Sequence, residues 1–272
     1  MTKTPTGELA GTVAVVTGVG SGLGKATATR FAQAGAKVVG ADIDVVNGTR
    51  TIVDLREQGL EGTFVQVDVS QEPDVKGMID TAMSKYGRLD ILHNNAGIMP
   101  VRVSIEDTPF DEWKRVIAVD LDSVFLGCKY GVAAMKKSGR GGRIMNTASL
   151  AGIRAFMWGM HYTAAKAGVV QMSIALSHLV EPDGIKVNAI CPTGVKTNLG
   201  KGNDPAMREV MRARSKTKTY GPLEPQDIAD VAFFLATRAE FTGAAVLVDA
   251  TPENKPIHFV TFGYKWEPLK ID

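Results

Sequence analysis

Short apolar, β-branched runs recur along this chain, separated by longer stretches in which apolar positions return every three or four residues. The runs at 13–17 (VAVVT), 37–42 (KVVGAD), 62–68 (GTFVQVD), 89–94 (LDILHN), 142–147 (GRIMNT), 185–190 (IKVNAI) and 244–249 (AAVLVD) predict seven strands. They are apolar on both faces, as parallel strands covered by helices on each side must be. Helical patterns at 24–34 and 73–86 stop at Gly35 and Gly87, and a third covers 162–180. Glu72 and Asp74 flank the start of the second, where acidic groups suit the helix dipole. This alternation predicts an α/β fold with a doubly wound parallel sheet, and with no repeat or linker it predicts one domain over 1–272.

Two segments break the alternation. Residues 196–218 are polar, basic and loosely helical, placed after the sixth strand as a lid would be. Residues 251–272 carry His258, Phe259, Phe262, Tyr264 and Trp266. Aromatic side chains at that density rarely stand free in water, so this tail is expected to pack on its own or a neighbouring subunit.

Composition narrows the class mainly by exclusion. The 272 residues are 44% hydrophobic and 22% charged with a formal net charge of +2, which leaves no global field for nucleic acid or an anionic membrane. No apolar run approaches the roughly 18 residues a membrane span needs. The first ten residues, MTKTPTGELA, contain no apolar signal segment, so a cytoplasmic location is expected. Cys128 and Cys191 read as buried, reduced thiols. His93, His161, His178 and His258 lack metal-site spacing, so no metal is expected.

The chemistry begins at Thr17-Gly18-Val19-Gly20-Ser21-Gly22-Leu23-Gly24, between the first strand and the first helix. Glycines there let backbone N–H groups and the helix N-terminus approach a pyrophosphate. A second strand ending at Asp42, followed by Ile43, places a carboxylate where the adenosine ribose of a dinucleotide would lie. Two rivals fail on residues. A P-loop ending at Gly24-Lys25 needs glycine at Val19 and Ser or Thr at Ala26. A hydrolase nucleophile elbow at Ser21 needs glycines at Val19 and Leu23.

Tyr162 and Lys166 lie four apart on one helix face, and Ser149 follows the fifth strand. Oxidising an alcohol requires a base for its hydroxyl proton, and a free phenol titrates near 10. An ammonium about 4 Å away supplies on the order of 4 kcal/mol at an effective dielectric near 20, enough to lower the phenol by two to three units. The expectation is that Lys166 activates Tyr162 while Ser149 holds the substrate oxygen.

Together these motifs resemble the short-chain dehydrogenase/reductase family over roughly residues 11–250. The resemblance rests on TGxxxGxG at 17–24, Asp68-Val69 after the third strand, NNAG at 94–97, Ser149 and the YxxxK pair Tyr162/Lys166. It implies a seven-stranded Rossmann sheet, and a homotetramer or homodimer built on long helices at 113–136 and 162–180. It also implies NAD(H) as cofactor. Its contacts would be Gly18, Ser21, Gly22, Leu23, Gly24, Asp42, Ile43, Asp68, Val69, Asn95, Ala96, Gly97, Val119, Tyr162, Lys166, Pro192, Gly194, Val195 and Thr197. In relatives the acidic residue at Asp68 meets adenine, and Asn95-Ala96-Gly97 supports the central strand.

Three departures from the family pattern stand out. Asp120 occupies the place of a catalytic asparagine thought to hold a water beside the lysine. The usual Pro-Gly pair reads Pro192-Thr193-Gly194. The tail after Asp249 is longer than in most members.

The expected substrate is a small alcohol or ketone, apolar and of the secondary-alcohol class, bounded by Met99, Ala151, Met157, Trp158, Met160 and the 196–218 lid. Arg208, Arg212, Arg214, Lys216 and Lys218 leave an acidic substrate open. Two other readings stand beside this one. One is a non-catalytic NAD-binding sensor or scaffold, prompted by Asp120. The other is an NADPH-dependent biosynthetic ketone reductase.

Overall fold

A computed structural model describes residues 7–101, 104–154, 159–199, 223–250, 256–261 and 266–269. Seven parallel strands form where the apolar runs predict: β1 (Val13–Thr17), β2 (Lys37–Asp42), β3 (Gly62–Gln66), β4 (Ile91–Asn94), β5 (Gly142–Thr147), β6 (Ile185–Pro192) and β7 (Ala245–Ala250). Val13, Ala14, Val15 and Val16 are at most 1% exposed, and each buried valine contributes roughly 1.5–3 kcal/mol.

The tail enlarges this sheet. Two antiparallel strands, β8 (Pro256–Thr261) and β9 (Trp266–Leu269), add to the β7 edge and give the order β3-β2-β1-β4-β5-β6-β7-β8-β9. The expected seven parallel strands are therefore extended to nine by the chain's own tail.

Helices α1 (Gly22–Gln33), α2 (Val45–Glu57) and α7 (Pro225–Thr237) cover one face with a core that includes Phe31, Ile52, Leu55 and Ile228. Helices α3 (Glu72–Tyr86), α5 (Ser123–Ser138) and α6 (Met160–Val180) cover the other, burying Met78, Val124, Met135 and Val169. Gly87 takes the left-handed conformation that ends α3, as its position predicts.

The expected helix over 113–136 is corrected. Helix α4 (Phe110–Ile117) leads into a π-helical turn (Ala118–Asp122) before α5 begins. Because β2 and β4 flank β1 on opposite sides, the winding reverses there, and a crevice opens at the carboxyl ends of the strands.

Candidate active site

The glycine loop occupies that crevice. Gly18 adopts φ +76°, and a Cβ on Gly24 would lie 2.1 Å from the Gly18 carbonyl oxygen, so a side chain at either position would displace the turn. Ser21 precedes α1 without a side-chain cap, and the first turn of α1 holds no acidic residue. Its free amides thus remain available to an anion.

A cavity of about 500 Å³ runs from this loop to the far helices. Gly18, Ser21, Gly22, Leu23, Asp42, Ile43, Asp68, Val69, Asn95, Ala96, Gly97, Val119, Tyr162, Lys166 and Thr197 all line it. Gly24 shapes the loop from behind. Pro192 ends β6, and Gly194 and Val195 pair with Leu223 beside the cavity. The uncapped helix end, the glycine cradle and the acid at Asp42 fit a nicotinamide dinucleotide.

Asn198 and Leu199 of the expected lid also line it, and sequence reasoning missed Val67, Ser70, Ile98, Arg115 and Thr147 on the same wall. Arg115 had a readable signal, since it precedes Val119 by one helical turn and shares its face. The others come from chain reversals that spacing does not reveal.

Asn95 ties the floor together. Its backbone N–H and that of Ala96 both donate to Thr17 Oγ1, at 2.8 and 2.9 Å, and its side-chain amide donates to the Thr17 carbonyl at 2.9 Å. The Thr147 hydroxyl donates to Asn95 Oδ1 at 3.2 Å, which leaves it to accept from His93 Nε2 at 2.9 Å. Burial holds the His93 imidazole down to about 3, so it is neutral.

The catalytic candidates converge at the other end of the cavity. Tyr162 is 6% exposed and Lys166 3%. Ser149 starts the short 3₁₀ turn Leu150–Gly152, accepts the Ala151 N–H at 3.1 Å, and lies beside the Tyr162 side chain, where it favours the ionised phenol. The π-helical turn carries Asp120 inward, fully buried, where Oδ1 accepts the Ile98 N–H at 2.8 Å.

The expected lysine–phenol coupling differs in this structure. The Lys166 ammonium donates to the Thr147 carbonyl at 2.9 Å, lies 3.7 Å from Asp120 Oδ2, and sits 5.6 Å from the centre of the Tyr162 ring. Burial pushes the Tyr162 phenol above its ordinary value and the Asp120 charge pushes the same way, against the smaller opposing effect of the Ser149 side chain. Raised in this way, chiefly by burial, the phenol stands protonated at neutral pH.

Of the proposed substrate wall, Met99 and Ala151 pack with Val116, Tyr162 and Ala165 in one apolar cluster beside the tyrosine. Met160 opens α6 half-exposed. Met157, Trp158 and positions 200–218 of the lid lie outside the described residues.

Residues 12–208 match the family described as short chain dehydrogenase, and the chain belongs to that family of oxidoreductases. It is similar to 3beta-hydroxysteroid dehydrogenase 2 of Eggerthella lenta, at 39% identity over 84% of this chain and 89% of that protein. It is also similar to cyclohexanol dehydrogenase of an Acinetobacter species, at 34% identity over 89% of this chain and 95% of that one. A solved short-chain type dehydrogenase/reductase from Mycobacterium marinum matches with a TM-score of 0.82 and 28% identity, over 89% and 95% of the two chains. No helix among the described residues is long and apolar enough to cross a membrane.

Proposed function

We propose that the protein is an NAD(H)-dependent oxidoreductase interconverting a secondary alcohol and its ketone. The observation that carries this reading is the buried Tyr162 side chain, beside Ser149 and one helical turn from Lys166, at the inner end of a dinucleotide-sized cavity. Bound nicotinamide supplies the hydride donor or acceptor.

Each residue then has a defined task. Ser149 holds the substrate oxygen. Tyr162 Oη gives its proton to that oxygen as a ketone becomes an alcohol, and takes it back in the reverse direction. Lys166 anchors the site through the Thr147 carbonyl and stabilises the tyrosinate left behind. A phenol protonated at neutral pH suits the reductive direction without further adjustment. The oxidative direction requires added positive charge beside it, as oxidised nicotinamide carries.

Relatives named for a hydroxysteroid and for cyclohexanol, together with the apolar cluster around Met99 and Ala151, support an apolar, ring-bearing substrate. Half-exposed or exposed Phe125 on α5 and Leu179 on α6 support a homo-oligomer joined through those helices. The unpaired, buried thiols of Cys128 and Cys191 suit a reducing cytoplasm.

Nicotinamide absorbance followed against a panel of cyclic and acyclic secondary alcohols and ketones, with NAD(H) and NADP(H), tests the reading. Turnover of at least one pair with NAD(H) is expected. No turnover across the panel, with NAD(H) nevertheless bound tightly, would favour the sensor alternative.

A further inference from the structure

The residue beside the tyrosine is itself buried and wired into a different helix. Helix α6 begins after Gly159, which offers no side chain to cap the free amides of its first turn. Regular helix bonding starts at Thr163, whose N–H donates to the Gly159 carbonyl at 2.8 Å, and of the free amides before it that of Tyr162 donates to His161 Nδ1 at 2.9 Å. An imidazole here does the capping that serine or aspartate usually does.

This contact fixes the tautomer. If Nδ1 accepts, Nε2 carries the hydrogen, and Nε2 lies 3.3 Å from Glu112 Oε1 on α4. His161 is 1% exposed and the Glu112 side chain 14%. A carboxylate on one helix thus orients an imidazole on another, and the imidazole holds the backbone of the residue proposed to move the proton. Its direct partners are Glu112 from α4 and the Tyr162 amide on its own helix.

We propose that His161 and Glu112 are positioning residues for Tyr162, a Glu–His pair that sets where the phenol stands relative to Ser149 and the substrate oxygen. Proton transfer is sensitive to displacements well under an ångström, so loosening this clamp slows the chemical step while leaving the dinucleotide cavity intact. The proposal rests on the reading of Tyr162 as the acid–base residue.

The test compares His161→Leu, His161→Asn, Glu112→Leu and Glu112→Gln with wild type on a substrate that turns over. His161→Leu and Glu112→Leu should each lower kcat by about tenfold or more, with KM for NAD(H) within about twofold. The solvent deuterium isotope effect on kcat should rise, because the proton step becomes slower. His161→Asn restores an acceptor near Nδ1, and Glu112→Gln one near Oε1, so both should recover most of the loss.

Leucine variants with a lowered Tm but unchanged kcat and isotope effect would show a purely structural pair and overturn the proposal. If His161→Leu fails to fold, Glu112→Leu decides by the same readouts. Tyr162→Phe separates the two layers. An active Phe variant sinks the catalytic reading, whereas an inactive Phe variant beside fully active leucine variants sinks only the positioning role.

Discussion

Lys166 Nζ and Asp120 Oδ2 stand 3.7 Å apart with the aspartate fully buried, so the lysine expected to act on the tyrosine already faces an acid. Burial raises the Asp120 carboxyl above the usual carboxylate range, opposed by the Lys166 charge and the Ile98 N–H. Asp120 Oδ2 has no hydrogen-bond partner in the structure. A buried pair of this kind contributes little net stability, because desolvation offsets attraction. Its effect falls instead on the neighbouring phenol.

Replacing the acid should therefore change the pH dependence more than the rate. Asp120→Asn keeps an oxygen for the Ile98 N–H and removes the charge that helps raise Tyr162. With that charge gone the phenol titrates lower. The acid limb of alcohol oxidation, which requires tyrosinate, should move to lower pH by about one unit, equivalent to about 1.4 kcal/mol. Turnover at the optimum should stay within about tenfold of wild type. Asp120→Leu leaves the Ile98 amide unpaired and should damage turnover further. An unmoved acid limb in the Asn variant, or a Leu variant equal to wild type, would remove Asp120 from the mechanism.

Tyr162→Phe deletes one oxygen from a site that otherwise keeps its packing. Only the proton transfer and the hydroxyl's proximity to Ser149 are lost, so NAD(H) affinity should change little while kcat falls by roughly 10²–10⁴. Fluorescence titration of NADH and steady-state kinetics measure the two separately. A Phe variant keeping more than a tenth of wild-type kcat would refute the assignment.

The altered loop after β6 is tied by one hydrogen bond to β7, the strand on which the tail pairs. Thr193 Oγ1 donates to Asp249 Oδ1 at 2.9 Å, and Asp249 lies opposite Ile257 where β7 pairs with β8. Deleting 251–272 uncovers the β7 edge and should lower Tm by about 4 °C or more, roughly 1–2 kcal/mol for a domain this size. Thr193→Val should raise KM for NAD(H) modestly, since Thr197 on the same connection lines the cavity. A truncated protein with unchanged melting, mass and kinetics would show that the added strands carry nothing.

Legibility tracked whether a feature depends on near or distant residues. Strands β1, β2 and β5 end where their apolar runs end, because burial on both faces selects those residues directly. The third strand stops at Gln66 rather than 68, because Asp68 Oδ1 turns back to take the Ser70 N–H and hydroxyl, at 3.0 and 2.7 Å. The π-helical turn was unreadable, since Asp120 is drawn in by an amide 22 residues earlier in the chain. Aromatic density marked the tail as packed, but a strand holding Pro268 offers no clean alternation. Ser149, Tyr162 and Lys166 can be singled out from the chain, but the turn of Lys166 towards Asp120 and the Thr147 carbonyl cannot, since both partners are distant in sequence.

Asp42 should make the enzyme prefer NAD(H) over NADP(H). Its carboxylate is held by the Gly20 N–H at 2.7 Å and the Asp44 N–H at 2.8 Å, one on each oxygen, so it is fixed at the cavity wall with lone pairs left for two ribose hydroxyls. A 2′-phosphate in that place brings about −1.5 to −2 charges. One unit of repulsion at about 4 Å is roughly 4 kcal/mol at an effective dielectric near 20, and solvent at the cavity edge reduces it to about 2–3. That corresponds to roughly 30- to 150-fold discrimination. The two lysines nearest in sequence are committed elsewhere, Lys25 to Asp54 at 3.5 Å and Lys37 to Glu61 at 3.4 Å, while Ile43 offers no charge. Lys166 and Arg115 also line the cavity; Lys166 is held by the Thr147 carbonyl, so among the described residues Arg115 is the cation to test. The ratio of kcat/KM for the two cofactors in wild type, Asp42→Ala and Arg115→Ala decides. Asp42→Ala should lose most of the discrimination, and Arg115→Ala should leave it in place. A wild type that prefers NADP(H), or an alanine variant at 42 with unchanged selectivity, would reverse the assignment.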